Sequence, residues 1–333
     1  MSTETMITAR GLRKTFTAKG GPVDAVRGID LDVDSGELVA FLGPNGAGKS
    51  TTLRMLTTLL PPTSGEAQVA GYSIAREPGE VRRRIGYVGQ RSSASNSQRV
   101  RDELRSQGAF YGLGRHETRD RVEDLLDSLE LASVATRQIQ SLSGGQRRRL
   151  DIALGIIHSP ALLFLDEPST GLDPHSRANL WQHILELRER TGTTIFLTTH
   201  YLDEADQLAE RVMVMDNGEI IADGTATELK HELAGDTVTV GFRTVDDAHA
   251  AAAQVDGVQN GTEVTIASDA GERAVPQLLR QLDSTGILAV SAEYRRPTLD
   301  DVFLSLTGRS LREEGAAHSK APDATSQTAV PTP

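Results

Sequence analysis

The 333-residue chain contains no cysteine, which excludes disulfides, zinc–thiolate sites and a cysteine nucleophile. It also lacks a surplus of positive charge: 35 Lys and Arg face 46 Asp and Glu, a net charge of −11. Binding to a phosphate backbone ordinarily leaves a basic excess, so nucleic acid is not an expected partner. Adhesion to anionic lipid is disfavoured on the same ground. No apolar run approaches the roughly 18 residues that span a bilayer. The best candidate, 152–165, is broken by His158, Ser159 and Pro160. Residues 1–10 lack the basic-then-apolar order of a secretory signal. These absences predict a cytosolic chain whose membrane role comes through a partner.

The 38% hydrophobic fraction is adequate for a packed core, and the length suits one large domain plus a small one. Short strands are expected at 5–9, 23–33 and 37–42. The period then turns helical, with Leu53, Leu56, Leu59 and Leu60 on one face until Pro61-Pro62 stops it. A strand at 85–88 precedes helices near 100–111 and 117–131, the second carrying Val122, Leu125, Leu126 and Leu129 on one stripe. Helix at 143–157, strand at 161–165, helix from Asp173-Pro174, strand at 194–198, helix at 201–209 and a hairpin turning at Asn217-Gly218 follow. Apolar strands between amphipathic helices imply an α/β fold with a largely parallel sheet covered on both faces. A break near 233–236 leads into a small α+β unit, 236–308. It has strands at 237–242, 263–267 and 287–292 and helices at 245–255 and 273–282. The tail 312–333, rich in Ala, Thr, Ser and Pro, reads as disordered.

Three segments carry chemistry. Gly43-Pro44-Asn45-Gly46-Ala47-Gly48-Lys49-Ser50 is a P-loop lying between a strand and a helix start, with Thr51 the next phosphate-binding position. Its glycines let backbone N–H groups turn inward around phosphates at the helix N-terminus. Lys49 places a positive charge on the β/γ-phosphates, and the Ser50 hydroxyl suits Mg²⁺. The run 162–165 then delivers Asp166 and Glu167 at the end of a buried strand, where Asp166 suits Mg²⁺ and Glu167 suits a general base for an attacking water. Taken alone, such acids are equally often helix caps. Leu142-Ser143-Gly144-Gly145-Gln146 opens a helix with two consecutive glycines, which weaken initiation unless something approaches closely. Its hydroxyl and backbone donors form an anion site.

At this point the chain resembles the ATP-binding cassette family, whose signature reads as 142–146 does. The resemblance covers residues 5–233 (helical subdomain about 91–150). It implies a P-loop cassette with a mostly parallel sheet core, an antiparallel N-terminal β subdomain and a helical subdomain. It also implies ATP hydrolysis. Gln90 matches the residue that senses Mg²⁺ and the attacking water, and His200 the switch histidine on the γ-phosphate. Ser169 to Asp173 match the loop crossing to a second subunit, and Phe16 the aromatic that stacks on adenine. Each has a plainer alternative: Gln90 a surface amide, Asp173 only a cap, His200 a satisfied strand-end histidine, Phe16 a core ring. Two cassettes are implied to close head to tail on two ATP molecules, each P-loop facing the other subunit's signature, Ser143 to Gln146. Arg147-Arg148-Arg149 either answers phosphate charge or, as is commoner, forms an exposed helix face.

The stretches 147–152, 201–206 and 297–304 resemble the daunorubicin-resistance branch of ABC-2 exporters. That likeness implies a separate permease, outward transport of a hydrophobic drug, antibiotic or lipid, and residence on the cytoplasmic face of a bacterial membrane. His200, Gln146 and Gly89 depart from the branch, which often has Gln at the first and Pro at the last. A chromosome-maintenance ATPase would need long heptad arms between Lys49 and Ser143. A translation factor of the superfamily would need two cassettes. An importer cassette, with its longer all-β extension, and a soluble ATPase without a transport role are the remaining alternatives.

Overall fold

Three runs with every residue buried form the middle of the larger sheet: β3 (Leu38–Leu42), β7 (Leu162–Asp166) and β8 (Thr194–Thr199). Strands apolar on both sides need cover on both sides, which is the physical reason for a parallel, helix-flanked sheet. In the computed structural model, which describes residues 4–18, 20–268 and 273–310, that sheet has six strands. Its order is β10-β9-β3-β8-β7-β6, completed by β6 (Ile85–Val88), β9 (Arg211–Asp216) and β10 (Glu219–Gly224). The pairs β9–β3, β3–β8, β8–β7 and β7–β6 are all parallel. Asn217 and Gly218 both have positive φ, as a two-residue hairpin turn between β9 and β10 requires.

A second, antiparallel sheet has the order β2-β1-β4-β5, from β1 (Thr5–Ala18), β2 (Gly21–Asp34), β4 (Ser64–Val69) and β5 (Tyr72–Ser73). The strand expected at 5–9 runs on to Ala18, because backbone pairing with β2 continues to Ala18↔Gly21 after the apolar alternation has stopped. β4, β5 and the helix α2 (Pro78–Arg84) had no counterpart in the sequence reading. Helix α1 (Lys49–Leu56) is shorter than its leucine stripe suggested. Thr58, at φ 62°, ends it, and Leu59 is 56% exposed instead of facing the core. A helical lobe follows: α3 (Val100–Phe110), α4 (Arg115–Ser128) and α5 (Gly144–Ile156). The stripe Val122, Leu125, Leu126 and Leu129 is buried throughout. Helices α6 (Pro174–Thr191) and α7 (Leu202–Leu208) complete this part of the chain.

The chain divides into two compact units, Met1–Asp223 and Gly224–Pro333, so the boundary precedes the break expected at 233–236. The difference is α8 (Ala226–Leu233), which packs on α11 (Leu299–Thr307) and so belongs with the second unit. That unit has a four-stranded sheet of order β12-β13-β11-β14, built from β11 (Thr237–Gly241), β12 (Val258–Asn260), β13 (Glu263–Ala267) and β14 (Ser291–Arg295). Val238, Val240, Val264 and Ile266 on one face pack with Ala248 and Ala251 of α9 (Val245–Val255) and Leu282 of α10 (Ala274–Ser284). The last strand lies four residues beyond the apolar run at 287 that suggested it, because Ser291 to Arg295 pair with β11. The tail 312–333 lies outside the described residues.

Candidate active site

Parallel strands present their C-terminal ends along one edge, the usual ligand edge of such a sheet. Here β3 runs into the P-loop, β8 into His200, β7 into Glu167 and β6 into Gly89-Gln90. Because β3, β8, β7 and β6 are neighbours, residues far apart in the chain, such as Leu42 and Thr199, arrive side by side.

The P-loop turns tightly onto α1. Gly48 is its N-cap at φ 110°, and a Cβ there would lie 2.4 Å from the Ala25 carbonyl oxygen of β2. Only glycine fits both constraints. The Lys49 side chain is 4% exposed, and its Nζ donates to the carbonyls of Gly43 (2.6 Å) and Pro44 (2.9 Å) while lying 3.7 Å from Glu167 Oε1. Burial pushes its ammonium below the usual lysine value, against the opposing pull of Glu167 and Asp166. Ser50 Oγ and Thr198 Oγ1 both donate to Asp166 Oδ1 at 2.8 Å. Asp166 Oδ2 is buried with no hydrogen-bond partner among the described residues.

Glu167 takes a left-handed backbone, φ 46°, held by its N–H donating to both the carbonyl (3.1 Å) and hydroxyl (3.0 Å) of Thr198. Thr170 Oγ1 donates to Glu167 Oε2 at 3.2 Å, and His200 Nδ1 lies 3.3 Å from the same oxygen, out of line for a hydrogen bond. Burial by itself would raise the Glu167 carboxyl. The nearby His200 ring, the Lys49 charge and the Thr170 hydroxyl outweigh it and hold the group below the ordinary glutamate value. The carboxylate is thereby kept ionised, the protonation state from which a general base starts.

The other expected residues stand outside this cluster. Gln90 is exposed, two residues past β6. Phe16 is 39% exposed, with Lys14 Nζ 5.4 Å from its ring centroid, so it is no core ring. Pro44 and Ala47 are buried, whereas Asn45 and Gly46 are exposed. Ser143 caps α5: its Oγ accepts from Gln146 N at 3.2 Å, and its own N–H donates to Gln146 Oε1 at 3.1 Å. Ser143 and Gly144 are exposed, and no hydrogen bond among the described residues joins 143–146 to the P-loop. A Cβ on Gly145 would meet Ser176 Oγ of α6 at 3.1 Å, while one on Gly144 would meet only Leu172 at 3.8 Å. Close approach within the chain therefore accounts for one glycine and not the other. Asp173 caps α6, accepting from Ser176 N at 2.9 Å and Ser176 Oγ at 2.6 Å.

Sequence reasoning missed three residues here. Thr198 links the two acids, yet a threonine ending an apolar strand carries no distinguishing signal. Glu204 is a buried carboxylate that accepts from Thr199 Oγ1 at 3.0 Å and is also hydrogen-bonded to Ser169 Oγ. The reading of Arg147–Arg149 as an exposed face is overturned. Arg148 is 7% exposed and bonded to backbone carbonyls, Arg147 reaches the Ile139 carbonyl at 3.0 Å, and Arg149 reaches Asn179 Oδ1.

With this geometry in view, known proteins give a consistent match. The ABC transporter family model matches residues 26–170, and that of the ATP-binding protein DrrA1-3-like C-terminal domain matches 224–307. The chain is 43% identical over 320 residues to the daunorubicin resistance ATP-binding protein DrrA3 of Streptomyces coeruleorubidus, covering 94% of this chain and 99% of that one. It is 34% identical over 316 residues to the linearmycin resistance ATP-binding protein LnrL of Bacillus subtilis, covering 92% and 100%. Among solved structures it is similar to a dimeric ATP-binding cassette in a post-hydrolysis state bound to ADP and Pi, with a TM-score of 0.61 and 27% identity over 66% of this chain and 98% of that one. A cassette sheet, an acid pair at its ligand edge and likeness along nearly the whole chain converge: this protein belongs to the ABC transporter family, as an ATP-binding ATPase subunit of the exporter type with a DrrA1-3-like C-terminal domain.

Proposed function

We propose that the chain pairs head to tail with a second copy around two Mg·ATP and uses their hydrolysis to drive a hydrophobic drug, antibiotic or lipid outward through a separate ABC-2 membrane permease. The observation that carries this reading is the division of functional groups. Lys49, Ser50, Asp166, Glu167 and His200 gather at one sheet edge, while the capped N-terminus of α5 offers its donors elsewhere. A phosphate held by the amides of Asn45 to Thr51 and by Lys49 completes its set of donors from Ser143 and Gly145 of the partner subunit. Glu167 takes the proton of the attacking water, and His200 and Gln90 hold that water and the γ-phosphate in line. Phe16, exposed on β1, stacks on the adenine. The loop from Ser169 to Asp173 crosses toward the partner.

Ser50, Asp166 and Gln90 would hold Mg²⁺, and the partnerless buried Asp166 Oδ2 fits that assignment, as does a donor set made only of oxygen. Bound there, the ion neutralises charge on the transferring phosphate. A drug or antibiotic as cargo is supported by relatives named for resistance to daunorubicin and linearmycin. No helix among the described residues is long and apolar enough to cross a membrane. Attachment to the cytoplasmic face of a bacterial membrane therefore falls to the permease.

Glu167→Gln should accumulate as an ATP-bound dimer on gel filtration, with turnover lowered by about 10²-fold or more. Lys49→Ala should lose nucleotide binding. A Glu167→Gln chain that stays monomeric with ATP and releases phosphate at the wild-type rate would end this reading.

A further inference from the structure

Arg148 is a long cation buried inside an ATPase, and its side-chain hydrogen bonds among the described residues go to backbone carbonyls. Its Nε donates to the Pro168 carbonyl at 2.6 Å, Nη1 to the Gly89 carbonyl at 2.6 Å and Nη2 to the Asp166 carbonyl at 3.3 Å. Asp166 and Pro168 flank Glu167, and Gly89 directly precedes Gln90. One turn along the same helix, the buried Asp151 accepts from Ser92 Oγ at 2.8 Å, so the segment carrying Gln90 is held on both sides. One helix thus grips the two loops that present the base and the water-sensing amide. The planar guanidinium is the side chain whose fixed fork can span three carbonyls at once.

We infer that Arg148, assisted by Asp151, is a positioning residue that sets the spacing between Glu167 and Gln90 and locks both to α5. Helix α5 begins at the Ser143 cap, so the end offered to the partner's nucleotide and the chain's own catalytic loops shift as one body. The inference rests on the assignment of Glu167 and Gln90 to hydrolysis. It goes beyond that assignment by placing the control of their geometry in a buried residue whose side chain is bonded to backbone carbonyls. Glu167 occupies an unfavourable left-handed conformation, and carbonyl anchors on either side are what such a conformation needs to persist.

The test is steady-state turnover of the full chain against ATP concentration, with binding of a fluorescent ATP analogue and thermal unfolding measured in parallel. Arg148→Gln should lower kcat by about 10- to 100-fold while KM and analogue affinity change less than about threefold, as expected when reacting groups are misplaced by about an ångström. Arg148→Lys should recover little of the loss, because an ammonium is a point charge without the fork. Wild-type kcat in Arg148→Gln overturns the inference, and so do losses of kcat and binding that run parallel with a lowered unfolding temperature. If Arg148→Gln does not fold, Ser92→Ala decides, since that site is exposed: reduced kcat at unchanged KM supports the clamp, and unchanged kcat removes it. Glu167→Gln assayed alongside separates the two levels. A Glu167→Gln chain with wild-type turnover defeats the hydrolysis assignment itself, whereas an inactive Glu167→Gln beside a fully active Arg148→Gln defeats only the clamp.

Discussion

Thr198 shows how much one hydroxyl can carry at the residue scale. It donates to Asp166 Oδ1 and accepts from the Glu167 N–H, so it orients both acids from the adjacent strand. Thr198→Val keeps the shape and removes both bonds, leaving Asp166 Oδ1 with Ser50 Oγ alone and the Glu167 N–H with the backbone carbonyl alone. The expected cost is about 1–3 kcal/mol of stability in denaturant unfolding, with reduced turnover. Glu167 gives a pH prediction. Its carboxyl is held below the ordinary glutamate value of about 4.3, so it remains ionised at neutral pH and gains a proton only as pH falls through that lowered value. Turnover at saturating ATP should therefore hold from pH 7 down to about pH 5 as far as this group is concerned. An acidic limb centred near pH 6.5 that disappears in Glu167→Gln would contradict this.

At the scale of the element, α5 presents two readings of one serine. Its capping box explains Ser143 as a helix start, and the exposure of Ser143 and Gly144 leaves the same donors open to a ligand. Ser143→Asp separates the readings. Aspartate caps as well as serine does, so thermal stability should hold within about 0.5 kcal/mol. A negative charge facing triphosphate should abolish ATP-driven pairing on gel filtration. Retained pairing would reduce Ser143 to a cap. The P-loop and the signature were legible because each needs particular residue types at adjacent positions, and the acid pair because it follows a P-loop, since alone it reads equally well as a helix cap. Arg148 was not legible, since three consecutive arginines look the same whether they meet water or a buried carbonyl. Leu59 failed in the opposite sense: its spacing placed it on the buried face, but Thr58 ends the helix before that face continues.

At the scale of the molecule, two cores are built from separate stretches of chain. The core around Phe41, Leu53 and Phe164 draws on residues up to Met215, and that around Val238, Ala251 and Ile266 lies wholly after 237. Each unit can therefore bury its own apolar surface. A chain ending at Gly224 should unfold cooperatively and bind ATP within about threefold of the full chain, because no proposed ATP ligand lies beyond His200. A truncated chain without cooperative unfolding would show that the first unit depends on the second. The second unit's α+β sheet also agrees with the sequence-based preference for an exporter cassette over one bearing a longer all-β extension.

By itself, the amino-acid sequence determined the chemistry on offer: a phosphate cradle, two acids after a buried strand, a capped glycine pair and a histidine at a strand end. Those are local patterns, and local sterics and hydrogen bonding suffice to specify them. Only the tertiary structure decided which of them meet. The order β3-β8-β7-β6 brings Ser50 to Asp166 and His200 to Glu167, while Ser143 stays exposed at the start of α5. Strand order depends on packing between segments far apart in the chain, and no spacing along the sequence encodes it.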